Sequence, residues 1–140
     1  MSSPFALTDE SLYQRWCDQK LKLYPQNLGE LIVQVNNPRQ LTVAEHQAML
    51  QCLRKTNMVI YASNTGDDAD KTIVHQLGQR FGLQKLDHNW LADDDGLTSL
   101  TVANQGDRTN YIPYSDRAIQ WHTDGYYNTA QQQIQGLMLH

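Results

Sequence analysis

Arg117-Ala118-Ile119-Gln120-Trp121-His122-Thr123-Asp124-Gly125-Tyr126-Tyr127-Asn128 is the stretch on which the reading of this chain turns. Its aromatic and β-branched residues suit a strand, in which residues i and i+2 point to one face. His122 and Asp124 are therefore expected side by side, with Tyr126 beside them if the strand continues and Trp121 turned the other way as a packing residue. Gly125 allows backbone to come close to the site. One imidazole and one carboxylate aimed at one point are two-thirds of the two-His, one-carboxylate set that leaves three positions open on an octahedral non-haem ferrous ion. The spacing alone carries little. With five His and twelve Asp in 140 residues, a His-x-Asp arises by chance on the order of 0.4 times. The surrounding strand, glycine and aromatic residues carry the weight.

Outward from this stretch, the apolar pattern alternates between helix and strand. Thr8 is placed to cap a helix whose residues Leu12, Tyr13, Trp16, Cys17 and Leu21 recur at helical spacing, a packing face that Pro25 ends. Leu31-Ile32-Val33-Gln34-Val35 reads as a short strand closed by Asn36-Asn37-Pro38. Thr42-Val43-Ala44-Glu45 is a capping box opening a helix through about residue 55, with His46, Met49, Leu50 and Leu53 on one face. Met58-Val59-Ile60-Tyr61 reads as a buried strand, and Ile73, Val74, Leu77 and Phe81 mark a third helix ending at Gly82. Asp93-Asp94-Asp95-Gly96 lacks the alternating ligands and closing Glu of a calcium loop and reads as a solvated acidic turn. From Leu97 onward, alternation at Thr98, Leu100, Thr101 and Val102 and the apolar run at residues 134–139 predict sheet.

Composition narrows the function classes. A chain of 140 residues with 40% hydrophobic content suits one globular domain, and a net charge of −4 without a Lys/Arg cluster argues against nucleic acid as a partner. The longest apolar runs, residues 58–62 and 137–139, fall far below the roughly 20 residues of a membrane span. The N-terminus has no secretory pattern, so a cytoplasmic location is expected, and Cys17 and Cys52 read as reduced packing thiols. His46 and His75 read as ordinary helix residues, and His140 as a core strand residue beside the cavity.

Trp121-His122-Thr123-Asp124, with Tyr111-Ile112-Pro113-Tyr114 and Leu77-Gly78-Gln79-Arg80-Phe81-Gly82-Leu83, resembles the taurine dioxygenase-like (TauD/TfdA) branch of the Fe(II)/2-oxoglutarate oxygenases over residues 30–140. The resemblance implies an α+β fold: the N-terminal part of a double-stranded β-helix, a clavaminate synthase-like jelly-roll with flanking helices and an incomplete barrel. It implies a single domain over residues 1–140, with 1–28 as a helical extension. Iron is then held by His122 and Asp124. 2-Oxoglutarate is the cosubstrate, dioxygen the oxidant and an unidentified small molecule the substrate that is hydroxylated as 2-oxoglutarate becomes succinate and carbon dioxide. Tyr126, His88 and Asn104 are the candidate pocket residues, and no separate catalytic residue is assigned.

Members of this family take a third iron ligand from a distant downstream His and hold 2-oxoglutarate with an Arg shortly after it. His140 follows His122 by only eighteen residues, too near for that layout. The expectation is a chain truncated at its C-terminal end that binds iron weakly and turns over slowly or not at all. The competing expectation is a non-catalytic binding or assembly module that retains a degenerate oxygenase scaffold. Self-association is left open.

Overall fold

The computed structural model describes residues 3, 5, 6, 8–86, 93 and 95–140. The chain divides into two compact units, Met1–Asp70 and Lys71–His140.

The first unit is built on a strand-helix-strand core. A 3₁₀ turn at Leu28–Leu31 leads into β1 (Ile32–Val35), and Pro38, which has no N–H for a ladder, follows its end. The capping box forms as the residue types dictate: the Thr42 hydroxyl accepts the Glu45 N–H at 3.2 Å, and the Glu45 carboxylate accepts the Thr42 N–H at 2.7 Å. The same carboxylate also accepts the Asn36 N–H at 2.7 Å, which ties the end of β1 to the start of the next helix. These bonds hold Glu45 below its usual pKa, the Asn36 N–H contributing most. The helix that follows, Val43–Thr56, ends at Asn57, whose φ of 60° is left-handed and whose N–H returns to the Leu53 carbonyl at 2.8 Å.

The second strand, β2 (Ile60–Ser63), pairs parallel with β1 in the register Ile32 to Ile60 and Val35 to Ser63. It starts two residues later than the apolar run at Met58 suggested. Leu31, Val35, Leu41 and Met49 form the buried core of this unit. Arg39 joins the loops after the two strands, donating to Asp68 and Asp70 at 2.7 Å each.

The N-terminal helix, Glu10–Lys22, departs from expectation in two ways. Its cap is Asp9 rather than Thr8, with the Asp9 carboxylate accepting the Leu12 N–H, and it contains no buried residue. Tyr13 and Leu21 are exposed, whereas Leu12, Trp16 and Cys17 are half-buried and Trp16 stacks edge-on against Phe5, so the predicted face is only partly packed. What it does contribute is a cation: Lys20 Nζ donates to the carbonyls of Arg54 and Lys55 at 2.6 and 3.0 Å, satisfying acceptors that the end of the Val43–Thr56 helix leaves open.

In order along the chain these helices are α1 (Glu10–Lys22) and α2 (Val43–Thr56), and the second unit opens with α3 (Thr72–Arg80). Ile73 and Leu77 are fully buried there. Gly82, at φ 79°, reverses the chain so that the Leu83 N–H reaches back to the Gly78 carbonyl at 3.0 Å.

The predicted sheet after residue 97 does not form. Among the described residues that stretch holds only 3₁₀ turns, at Asp107–Asn110, Ile112–Tyr114 and Ala130–Gln132. A strand needs a neighbour to take its backbone groups, and the apolar runs at 97–102 and 134–139 do not pair with each other. The nearest thing to a ladder is a single bond from the Ala103 N–H to the Tyr114 carbonyl at 2.8 Å. Among the described residues the protein is thus mixed α and β with one two-stranded parallel sheet and no closed barrel. Among the described residues no helix is long and apolar enough to cross a membrane.

Candidate metal centre

The predicted ligands meet, though not on a strand. Residues 118–123 carry no strand assignment, and a turn begins at Asp124, closed by the Asn128 N–H on the Gly125 carbonyl at 2.9 Å. His122 Nε2 nonetheless lies 3.2 Å from Asp124 Oδ1. Two donors each about 2.1 Å from a metal, at a right angle, are about 3.0 Å apart. The observed spacing fits two neighbouring ligands on one octahedral ion and equally fits a direct His–Asp contact.

The imidazole is also oriented for that role. His122 Nδ1 is 2.8 Å from the Gln120 carbonyl, an acceptor, so Nδ1 carries the proton. Nε2 then faces the Asp124 carboxylate. A ring nitrogen fixed by a backbone carbonyl is the usual outer support of a metal-bound His. No side-chain pattern points to Gln120, because its contribution is a backbone oxygen.

Both side chains are about half exposed, 50% and 49%. Asp124 lines a small cavity of about 270 Å³ with Thr123, Gly125, Tyr126, Asn128 and Ile134. Both residues also line a larger cleft of about 1260 Å³, whose walls include Tyr111, Ile119, Leu137, Lys85 and Arg117. His75, read from the sequence as an unremarkable helix residue, lines this cleft too. Gly125 has a sharper role than close backbone approach. Its φ is 65°, and a Cβ there would fall 2.5 Å from Ile134 Cδ1.

The other predicted residues separate. Tyr126 lines both cavities, but from the turn rather than from a shared strand face, and is 83% exposed. Trp121 is fully exposed, so it is not the packing residue the alternation predicts. Asn104 is exposed and lies outside both cavity linings, and His140 is likewise exposed and outside them. His88 lies outside the described residues. Among the described residues no third His, Cys, Asp or Glu joins the His122–Asp124 pair.

The chain matches no model of a known protein family, no curated protein and no solved structure.

The acidic turn has partners of its own. The Asp93 carboxylate accepts from Lys71 Nζ at 2.8 Å, from Arg108 Nη2 at 3.1 Å and from the Ser99 hydroxyl at 3.1 Å. Lys71 is also 2.8 Å from Asp95. Lys71, then Arg108 and Ser99, hold Asp93 well below the usual carboxylate range. These carboxylates are committed to cations of the chain, and Arg108 in turn lies 5.0 Å over the ring of buried Tyr114. The cluster braces the start of α3 against the 3₁₀ turns beside the cleft.

Proposed function

We propose that this chain carries part of the Fe(II) site of a TauD/TfdA-type 2-oxoglutarate-dependent oxygenase acting on a small molecule, with His122 and Asp124 as two of the three protein ligands. The observation that supports this most is the 3.2 Å Nε2–Oδ1 spacing with Nδ1 fixed on the Gln120 carbonyl. The donor set suits ferrous iron: one neutral imidazole and one carboxylate, with the remaining positions open. When bound, iron would supply the dioxygen chemistry coupled to oxidative decarboxylation of 2-oxoglutarate. The chain's residues hold and orient: Gln120 sets the tautomer of His122, Gly125 turns the chain behind Asp124, and Tyr126 and Ile134 wall the adjoining cavity.

On this reading the extended segments of the second unit correspond to strands of a jelly-roll, and the enzyme works in the cytoplasm. With two ligands among the described residues, the chain is expected to bind iron weakly and turn over slowly or not at all. A non-catalytic module with the same scaffold is the second reading, and the half-exposed ligand pair without a third partner among the described residues favours it.

Mn(II) titration followed by electron paramagnetic resonance tests the site. Wild type is expected to take up one ion, with His122→Ala and Asp124→Ala each weakening uptake by at least about tenfold. Equal uptake by all three proteins would sink the assignment. Fe(II)-dependent succinate release from 2-oxoglutarate then separates enzyme from module.

A further inference from the structure

We propose that the Asp124–Gly125 bond of the metal-free chain is a site of spontaneous isoaspartate formation, a covalent change of the backbone that parts His122 from its carboxylate. The inference stands on this bond and its surroundings and does not depend on what the pair binds.

The reaction needs a carboxyl group and the backbone nitrogen of the next residue. The Gly125 nitrogen bonds to Asp124 Cγ and gives up its proton, and one carboxyl oxygen leaves as water, carrying that proton and one from solvent. The five-membered succinimide then takes up one water. Opening at one carbonyl restores aspartate. Opening at the other routes the main chain through Cβ and Cγ and leaves the free carboxylate on Cα. No oxidant or other reactant is consumed. Glycine is the neighbour that favours ring closure, because it has no Cβ to obstruct the approach of its nitrogen.

The sequence contains two Asp-Gly bonds, Asp95-Gly96 and Asp124-Gly125, and no Asn-Gly. Both lie in the second unit and both glycines are left-handed, at φ 76° and 65°. The fold treats their reacting groups differently. At Asp95 both groups are engaged: the Gly96 N–H donates to the Asp93 carbonyl at 2.9 Å, and the carboxylate accepts from the Leu97 N–H at 3.0 Å and from Lys71 Nζ at 2.8 Å. At Asp124, among the described residues, the Gly125 N–H makes no hydrogen bond and the carboxylate has one contact, between Oδ1 and His122.

The Asp124 side chain is half exposed and opens on a cavity of about 270 Å³, which gives water access to the ring. The glycine cannot be exchanged freely, since a Cβ at position 125 would fall 2.5 Å from Ile134 Cδ1. The turn that brings Asp124 to His122 therefore carries the labile bond. Freeing the two groups at Asp95 breaks two or three hydrogen bonds first, which slows ring closure there by at least about tenfold relative to Asp124.

The test holds the 140-residue chain, stripped of metal with a chelator, at neutral pH in heavy-oxygen water, one sample folded and one in guanidinium chloride. Isoaspartate is located by electron-transfer fragmentation of the derived peptides. In the folded chain it is expected at residue 124 at least about tenfold faster than at residue 95, with heavy oxygen incorporated at the reacting residue. In denaturant the two bonds are expected to react at similar rates. Equal rates in the folded chain, faster reaction at Asp95, no isoaspartate at residue 124, or the same preference in denaturant would overturn the proposal.

Discussion

Alanine at position 125 is the substitution whose cost the structure prescribes most directly. Gly125 sits at φ 65°, a conformation that costs an alanine roughly 1 kcal/mol. Its new Cβ would lie 2.5 Å from Ile134 Cδ1 and 3.0 Å from Cγ1. Carbon atoms in ordinary contact are about 3.5–4.0 Å apart, so Ile134 has to leave its rotamer, at about 1 kcal/mol more. The total is about 2 kcal/mol, read as a lower urea midpoint with an unchanged slope. A double-mutant cycle isolates the contact: with Ile134→Ala already present, Gly125→Ala is expected to cost only the backbone portion, about 1 kcal/mol, leaving a coupling of about the same size. If Gly125→Ala costs the same in both backgrounds, the packing of Ile134 on the turn is wrong, and with it the wall of the cavity beside Asp124.

Thr42→Ala removes the hydroxyl that accepts the Glu45 N–H at the start of α2 and is expected to cost about 1 kcal/mol in urea unfolding, whereas Thr42→Ser should retain most of that. Acid should loosen the second unit: Asp93 is depressed by Lys71, Arg108 and Ser99, so its contribution is present above the ordinary carboxylate pKa and lost as pH falls through the lower folded value. The loss therefore begins as pH falls below the ordinary carboxylate range and continues at lower pH, and Asp93→Asn is expected to flatten the acid limb of a stability–pH curve.

The first unit and the opening helix of the second were largely legible because their signals are local. Thr42 and Glu45 carry their own capping geometry, Gly82 terminates α3 by its conformational freedom, and the apolar spacing of Ile73 and Leu77 marks the buried face. The N-terminal helix is buried only halfway at Leu12 and Trp16 and not at all at Leu21, because apolar spacing reports a face that could be buried, and burial depends on what the rest of the chain brings to it. The same limit explains the missing sheet. Alternation at 97–102 and 134–139 encodes two-faced extended segments, but a ladder is a property of two strands and no pattern within one of them specifies its neighbour.

The His122–Asp124 pair is instructive because its prediction rested on a strand that is absent, yet the two side chains converge. Strand alternation would bring residues i and i+2 to one face, with side chains running roughly parallel. Here the turn that starts at Asp124 swings its carboxylate back towards the ring, and the Gln120 carbonyl fixes the ring from the other side. Five consecutive residues, 120–124, thus encode the geometry locally, and the left-handed Gly125 that follows makes the turn possible. It follows that a change remote from this stretch, such as Thr42→Ala, should lower stability without altering the Mn(II) affinity of the folded chain. Gly125→Ala should lower both, because the same turn that packs on Ile134 aims Asp124 at His122.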